Sequence, residues 1–250
     1  MDETAVTVTH DRVLGGRVLL RQPAKGYRAG MDAALLAAAC DASEGQRVLE
    51  AGCGVGGALL AAVVRRSGAS FTGLERDEAA LELARENVVA NNLTGRVDVR
   101  AGDVGVPFAR LGLTPFDAVL ANPPFFDDPK ALRPPDPAKT AAWMADGGLA
   151  AWTGFLLKAV REGGSLTLIH RADRLADLLE LLGAKAGSFQ IRPIHPFADA
   201  PAGRVLIRAV KTGKAPLRLL PALVLHERGG DKHTGETEAI LRGEGDLPWL

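Results

Sequence analysis

Along the middle of this chain, short continuous apolar runs alternate with longer stretches whose apolar positions recur at helical spacing. Strands are predicted over 47–50, 69–75, 96–101, 116–121 and 165–170. Helices are predicted between them, over 57–66, 77–91 and 150–160, and again over 171–182. In 77–91 the residues Ala80, Leu83, Ala84 and Val88 form the apolar face, and Asp77 is the expected N-cap. Gly163-Gly164 ends the helix before the fifth strand. Strands alternating with helices imply a mainly parallel sheet with helices on both faces.

The two ends read differently. Residues 6–22 form an expected hairpin turning at Gly15-Gly16, and 31–40 an Ala/Leu helix. Two further strands, 188–195 and 204–211, follow the core with only 196–203 between them, so an antiparallel pair at a sheet edge is expected. The tail from Leu219 mixes an apolar segment with a polar, Gly-rich end. The segment 127–139 carries four prolines among mixed charges and reads as a loop. The expectation is a doubly wound α/β fold: a mainly parallel seven-stranded sheet with C-terminal antiparallel edge strands. Residues 1–40 would be a hairpin-and-helix extension of a core over 41–250, in one structural domain.

Composition narrows the function classes. At 250 residues the chain can bury a full core. Formal net charge is zero, so any nucleic-acid site has to be a local patch. Cys40 and Cys53 make no Cys-x-x-Cys unit, and His226 and His233 are isolated, so no metal is expected and a reducing compartment fits. No apolar run approaches the ~20 residues that span a bilayer, and the N-terminus has no apolar signal core. A cytoplasmic protein with no membrane partner is the expectation.

Candidate chemistry gathers at strand ends, where a doubly wound sheet binds its ligand. Glu50-Ala51-Gly52-Cys53-Gly54-Val55-Gly56 follows the first core strand, Glu75 the second, Asp103 the third and Asn122-Pro123-Pro124-Phe125 the fourth. Gly52, Gly54 and Gly57 also match the dinucleotide fingerprint, with Glu75 placed to hold a ribose, so an NAD-dependent oxidoreductase is one reading. Charge favours another. A pyrophosphate wants a bare helix N-terminus, and Glu50 opposes it. S-adenosylmethionine carries a sulfonium and an ammonium but no phosphate, and suits Glu50. Glu75 would then accept from the ribose and Asp103 from the adenine, with Arg76 and Val104 beside them. A tight turn whose glycines only permit close packing is the plain alternative.

Asn122 and the Pro123 carbonyl can each accept one N–H of a planar amine, and Phe125 can stack on its ring. Such a pair orients a nitrogen lone pair that would otherwise be delocalised, with no strong base. A rigid strand exit with Phe125 in the core is the structural alternative. The late basic residues bear on the substrate. Arg192, Arg204, Arg208 and Lys211, with Lys214 and Arg218, face a single acid, Asp199, between 190 and 218. They can track an RNA backbone. Equally they can guard an edge strand, since Lys211 is odd-spaced from Arg204 and Arg208. His170 and His195 read as structural histidines, and Trp143 and Trp152 as packing anchors.

The four strand-end elements resemble the class I S-adenosylmethionine-dependent methyltransferases. Asn122-Pro123-Pro124-Phe125 is similar to the (Asn/Asp/Ser)-Pro-Pro-(Tyr/Phe) element of their amino-methylating members. The stretch from Lys25 to Leu36 resembles the segment before the core in tRNA1(Val) adenine-37 N6-methyltransferases. The resemblance implies S-adenosylmethionine as cofactor and the N6 of an adenine in tRNA or another RNA as acceptor. It also implies that Arg28, Gly30 and Asp32 close over the methionine end of the cofactor. Methylation of a protein glutamine amide, or of a small-molecule amine, fits the same Asn-Pro-Pro geometry. Two departures stand out: Phe125 replaces the commoner Tyr, and 127–139 is unusually Pro-rich.

Overall fold

The computed structural model describes residues 7–25, 28–124, 148–230 and 232–250. Phe125, Trp143 and the 127–139 segment lie outside the described residues. In chain order the elements are β1 (Val8–Val13), β2 (Val18–Pro23), α1 (Met31–Ala38), β3 (Arg47–Ala51), α2 (Gly57–Arg65) and β4 (Ser70–Glu75). They continue with α3 (Glu78–Ala90), β5 (Val97–Ala101), β6 (Phe116–Ala121), α4 (Gly148–Ala159) and β7 (Val160–Arg171). Last come α5 (Leu175–Gly183), β8 (Ala186–His195), β9 (Arg204–Lys211), β10 (Arg218–Leu219), β11 (Leu223–Val224) and α6 (Gly235–Arg242).

The central sheet runs β10-β8-β9-β7-β6-β3-β4-β5, with β11 also paired to β8. From β7 to β5 every pairing is parallel, while β9 is antiparallel to both β7 and β8. Seven long strands therefore form as the apolar runs imply, and two two-residue strands enlarge the sheet to nine. The short pair gave no pattern because Arg218 and Pro221 interrupt its apolar residues. Two reversals make β8 run with the core. The carboxyl ends of β3 to β8 thus share one edge, with β9 alone reversed.

The buried centre explains the continuous apolar runs. Val48, Leu49 and Ala51 of β3 and Ala118, Val119, Leu120 and Ala121 of β6 are buried with both sheet faces covered. Asp77 caps α3, its side chain accepting from the Ala80 N–H at 2.9 Å. The tail holds a helix that the hydropathy pattern did not suggest. Thr234 caps α6 through the Thr237 N–H, Glu236 and Glu238 stand in its first turn, and Gly243 closes it in the left-handed conformation. Ile240 and Thr237 are its only buried side chains, too few to write a helical period. Among the described residues, no helix is long and apolar enough to cross a membrane.

The late basic residues do not form an open stripe, which corrects the RNA-track reading. Arg204 pairs with Asp32 at the start of α1 (3.1 Å) and Arg208 with Asp41 beyond its end (2.5 Å). Ser165 of β7 also donates to Asp41 at 2.9 Å. Arg204 and Arg208 point from one face of β9, and that face is the one α1 covers. Arg192 is buried and donates to the carbonyls of Pro221 and Pro248. Lys211 donates to the Val160 carbonyl at 2.8 Å and pairs with Glu162. These cations fasten elements together. Arg208→Ala is therefore expected to lower stability by about 2 kcal/mol in chemical denaturation.

Candidate cofactor and acceptor site

Strand register brings the four strand-end elements side by side. Ala51 of β3 pairs with Leu74 of β4 on one side and Ala121 of β6 on the other, and Glu75 pairs with Ala101 of β5. Asn122, Gly52, Glu75 and Asp103 therefore emerge in a row at one sheet edge, on neighbouring strands about 4.8 Å apart.

The glycine loop is tightly held. Gly52 has φ +67°, and a Cβ built on it would lie 2.4 Å from the Trp152 ring of α4. The Cys53 N–H donates to the Leu74 carbonyl at 2.9 Å. The Gly54 N–H donates to Glu75 Oε2 at 2.8 Å. Gly56 occupies the N-cap of α2. Ala51 and Cys53 are buried, and burial raises the Cys53 thiol well above its ordinary range, so it is inert. Gly52→Ala is expected to weaken S-adenosylhomocysteine binding at least about tenfold, because it adds both φ strain of roughly 1–2 kcal/mol and an indole clash. Trp152→Phe in the same chain should restore part of the loss in calorimetry.

Glu50 lies beneath this loop and is 3% exposed. The Leu59 N–H in the first turn of α2 favours its charged form, yet burial and then Glu75 drive its carboxyl well above the ordinary range. No described residue hydrogen-bonds Glu50 Oε2. A buried carboxyl oxygen with no hydrogen bond among the described residues fits an ammonium, which would favour its charged form.

Glu75 is half-buried. Its Oε1 accepts from the N–H groups of Arg76 and Asp77, both at 2.8 Å, while Oε2 holds Gly54. A carboxylate has about four acceptor positions, so Oε2 keeps capacity for a hydroxyl. Asp103 Oδ1 accepts from the Gly105 N–H at 2.8 Å, and its Oδ2 lies 3.5 Å from Arg76 Nη1, bridging the ends of β4 and β5. Val104 is half-buried beside it. Asn122 is half-buried, Pro123 buried and Pro124 half-buried at the exit of β6.

The N-terminal trio is engaged elsewhere. The Arg28 guanidinium donates to Thr9 Oγ1, the Pro23 carbonyl and Asp11 Oδ2 of the hairpin. Asp32 binds Arg204, and Gly30 is the N-cap of α1. These contacts tie Arg28 to the hairpin and Asp32, through Oδ2, to β9. Ala29 between them does touch the site: a Cβ on Gly57, at the head of α2, would lie 2.3 Å from Ala29 Cβ. His170 is buried, and burial first, then Arg171 and Arg204, push it down to about 4, so it is neutral at neutral pH. Nδ1 of His195 lies 2.6 Å from the Ala200 carbonyl. Among the described residues no cluster of His, Cys, Asp and Glu is set to hold a metal.

Two residues were overlooked as parts of the site. Trp152 backs the glycine loop at Gly52, beyond its expected part as a packing anchor. Asn87 is fully buried and donates to the Val55 carbonyl of the loop at 2.9 Å. Its signal was an amide on the apolar stripe of α3, seven residues after Ala80 and three after Ala84.

Residues 28–133 match the family of the methyltransferase small domain. The chain is 35% identical over 116 residues to the tRNA1(Val) (adenine(37)-N6)-methyltransferase of Aeromonas salmonicida (strain A449), covering 46% of this chain and 47% of that protein. It is 27% identical over 167 residues to the release factor glutamine methyltransferase of Chlorobaculum tepidum, covering 63% of this chain and 56% of that one. The chain thus spans about half the length of these curated relatives. Among solved structures, a protein described as a predicted O-methyltransferase from Agrobacterium tumefaciens superposes with a TM-score of 0.72 at 26% identity, covering 86% of this chain and 98% of that one. The likeness to methyltransferases runs through both the glycine loop and Asn122, which fall within residues 28–133: the chain has the fold of the class I S-adenosylmethionine-dependent methyltransferases.

Proposed function

We propose that the protein methylates the exocyclic N6 amino group of an adenine in RNA, with tRNA as the favoured substrate. The observation that carries this reading is the adjacency of Asn122-Pro123 to the glycine loop, set by the pairing of Ala51 with Ala121. S-adenosylmethionine supplies an electrophilic methyl group and needs no other activation. Glu50 takes the ammonium of its amino-acid part, Glu75 the ribose hydroxyls, and Asp103 with Val104 the adenine edge. Ala51, Gly52, Cys53, Gly54 and Gly56 shape the wall it lies against, and Arg76 holds Asp103. The Asn122 amide oxygen and the Pro123 carbonyl each accept one N–H of the acceptor amine. That arrangement lets the nitrogen pyramidalise and turns its lone pair toward the methyl group. Phe125, next along the chain, supplies the stacking face. The acid left on nitrogen after transfer is strong enough for water to take its proton.

Support for RNA comes from the A. salmonicida relative's name and from an acceptor pair suited to a flat NH2, not from the four paired basic residues. Glutamine amide methylation is the second reading, favoured by the C. tepidum relative. Incubation with labelled S-adenosylmethionine and either bulk tRNA or a release factor separates the two. Label in N6-methyladenosine after nucleoside digestion is expected. Label confined to protein would overturn the RNA reading.

A further inference from the structure

The N-terminal hairpin forms its own two-stranded sheet, so β2 has an edge that β1 does not cover. In an antiparallel ribbon alternate residues turn their N–H and C=O groups away from the partner strand. Those of Leu19 and Arg21 meet side-chain amides of α3. Asn91 Oδ1 accepts from the Leu19 N–H at 2.8 Å, and its Nδ2 donates to the Leu19 carbonyl at 2.7 Å. Asn87 Oδ1 accepts from the Arg21 N–H at 2.8 Å, and its Nδ2 donates to the Arg21 carbonyl at 2.9 Å. A side-chain amide carries the same donor and acceptor as a peptide group. Four residues of helix rise about 6 Å, and two residues of strand about 6.7 Å. Amides at i and i+4 of a helix therefore match peptides at i and i+2 of a strand.

The two asparagines differ in one respect. Asn87 Nδ2 also donates to the Val55 carbonyl in the glycine loop. Asn91 instead gives its remaining bond to the Asn87 carbonyl, within its own helix. The far side of the hairpin reaches the same region, since Gln22 Oε1 accepts from the Ala29 N–H at 3.0 Å and Ala29 packs on Gly57.

We propose that Asn87 is a positioning residue that couples the hairpin to the cofactor loop: one buried amide holds Arg21 of β2 and the Val55 carbonyl together, so ordering either orders both. The proposal rests on the cofactor reading of that loop. Hydrogen exchange on the intact chain tests it without any substitution. Saturating S-adenosylhomocysteine is expected to slow exchange of the Arg21 amide several-fold. Asn91→Ala removes half of the strap but leaves Val55 untouched, and is expected to keep S-adenosylhomocysteine affinity within about twofold of wild type by calorimetry. Asn87→Asp keeps the acceptor, loses the donors and is expected to weaken affinity about tenfold. Binding with unchanged hairpin exchange, or equal losses in the two variants, overturns the coupling alone. Wild-type protein that does not bind S-adenosylhomocysteine overturns the cofactor reading and the coupling with it.

Discussion

Alanine in place of Asn122 is expected to lower methyl transfer by about a hundredfold to a thousandfold while leaving S-adenosylhomocysteine affinity within about tenfold. The nitrogen of an aryl or amide NH2 is a poor nucleophile because its lone pair is shared with the π system. Orientation and electrostatic preorganisation must raise its reactivity, and in the proposed reaction Asn122 supplies the side-chain half of both. Removing one such group typically costs about 3–4 kcal/mol of transition-state stabilisation. Pro123 keeps its carbonyl in the variant, but a single acceptor leaves the amine free to rotate. The cofactor groups lie on other strands. Glu50 belongs to β3, Glu75 to β4, and Asp103 follows β5. Hence binding and turnover separate. Asn122→Asp keeps an acceptor and should recover part of the rate. Undiminished single-turnover transfer in Asn122→Ala refutes the assigned role.

The parts of the site that were legible in the sequence are those written locally. β3 and β6 are buried on both faces and so appear as unbroken apolar runs, and each ends on residues that no buried strand needs. Register was then a consequence of parallel neighbours, because a doubly wound sheet lines up its carboxyl ends. The basic residues left two readings open for the opposite reason. The acids that neutralise Arg204 and Arg208, Asp32 and Asp41, lie 172 and 167 positions away in the chain. No window of sequence contains both members of either pair. A cluster of like charges around β9 therefore looked unanswered when it was the ionic fastening of α1.

Asn87 was hidden in another way. On a helical wheel it belongs to the buried face, yet an amide there has meaning only once the open edge of β2 and the Val55 carbonyl are known. Both partners come from non-adjacent parts of the chain. The helix α6 was missed for want of apolar residues, although Thr234, two first-turn glutamates and Gly243 mark both of its ends. Cap chemistry was the better signal there, because it is local where burial is not.

Cofactor affinity is expected to rise with pH, and Glu50→Gln to remove that dependence. Burial first, and the neighbouring Glu75 second, lift the Glu50 carboxyl well above its ordinary range, while the Leu59 N–H pulls it back only partly. The free protein therefore keeps Glu50 protonated where an exposed carboxyl is already ionised. An ammonium at Glu50 Oε2 favours the carboxylate, so binding releases a proton. Below the free protein's value the dissociation constant should fall by up to about tenfold per pH unit, or about 1.4 kcal/mol. Above it the gain stops, because no proton remains to be released. The range is kept below about pH 7, where the ligand's own α-amino group stays charged. Stability of the free protein moves the other way. A carboxyl with a raised folded value holds a proton that the unfolded chain has lost. Its stabilising effect is complete below the unfolded value and falls as pH rises through the folded one. The thermal shift given by S-adenosylhomocysteine should consequently grow with pH in wild type and stay flat in Glu50→Gln. In the absence of ligand that variant should melt higher than wild type at neutral pH, since it carries no latent buried charge. Calorimetry in buffers of different ionisation enthalpy counts the protons directly, and binding by wild type with none released would remove Glu50 from the ammonium.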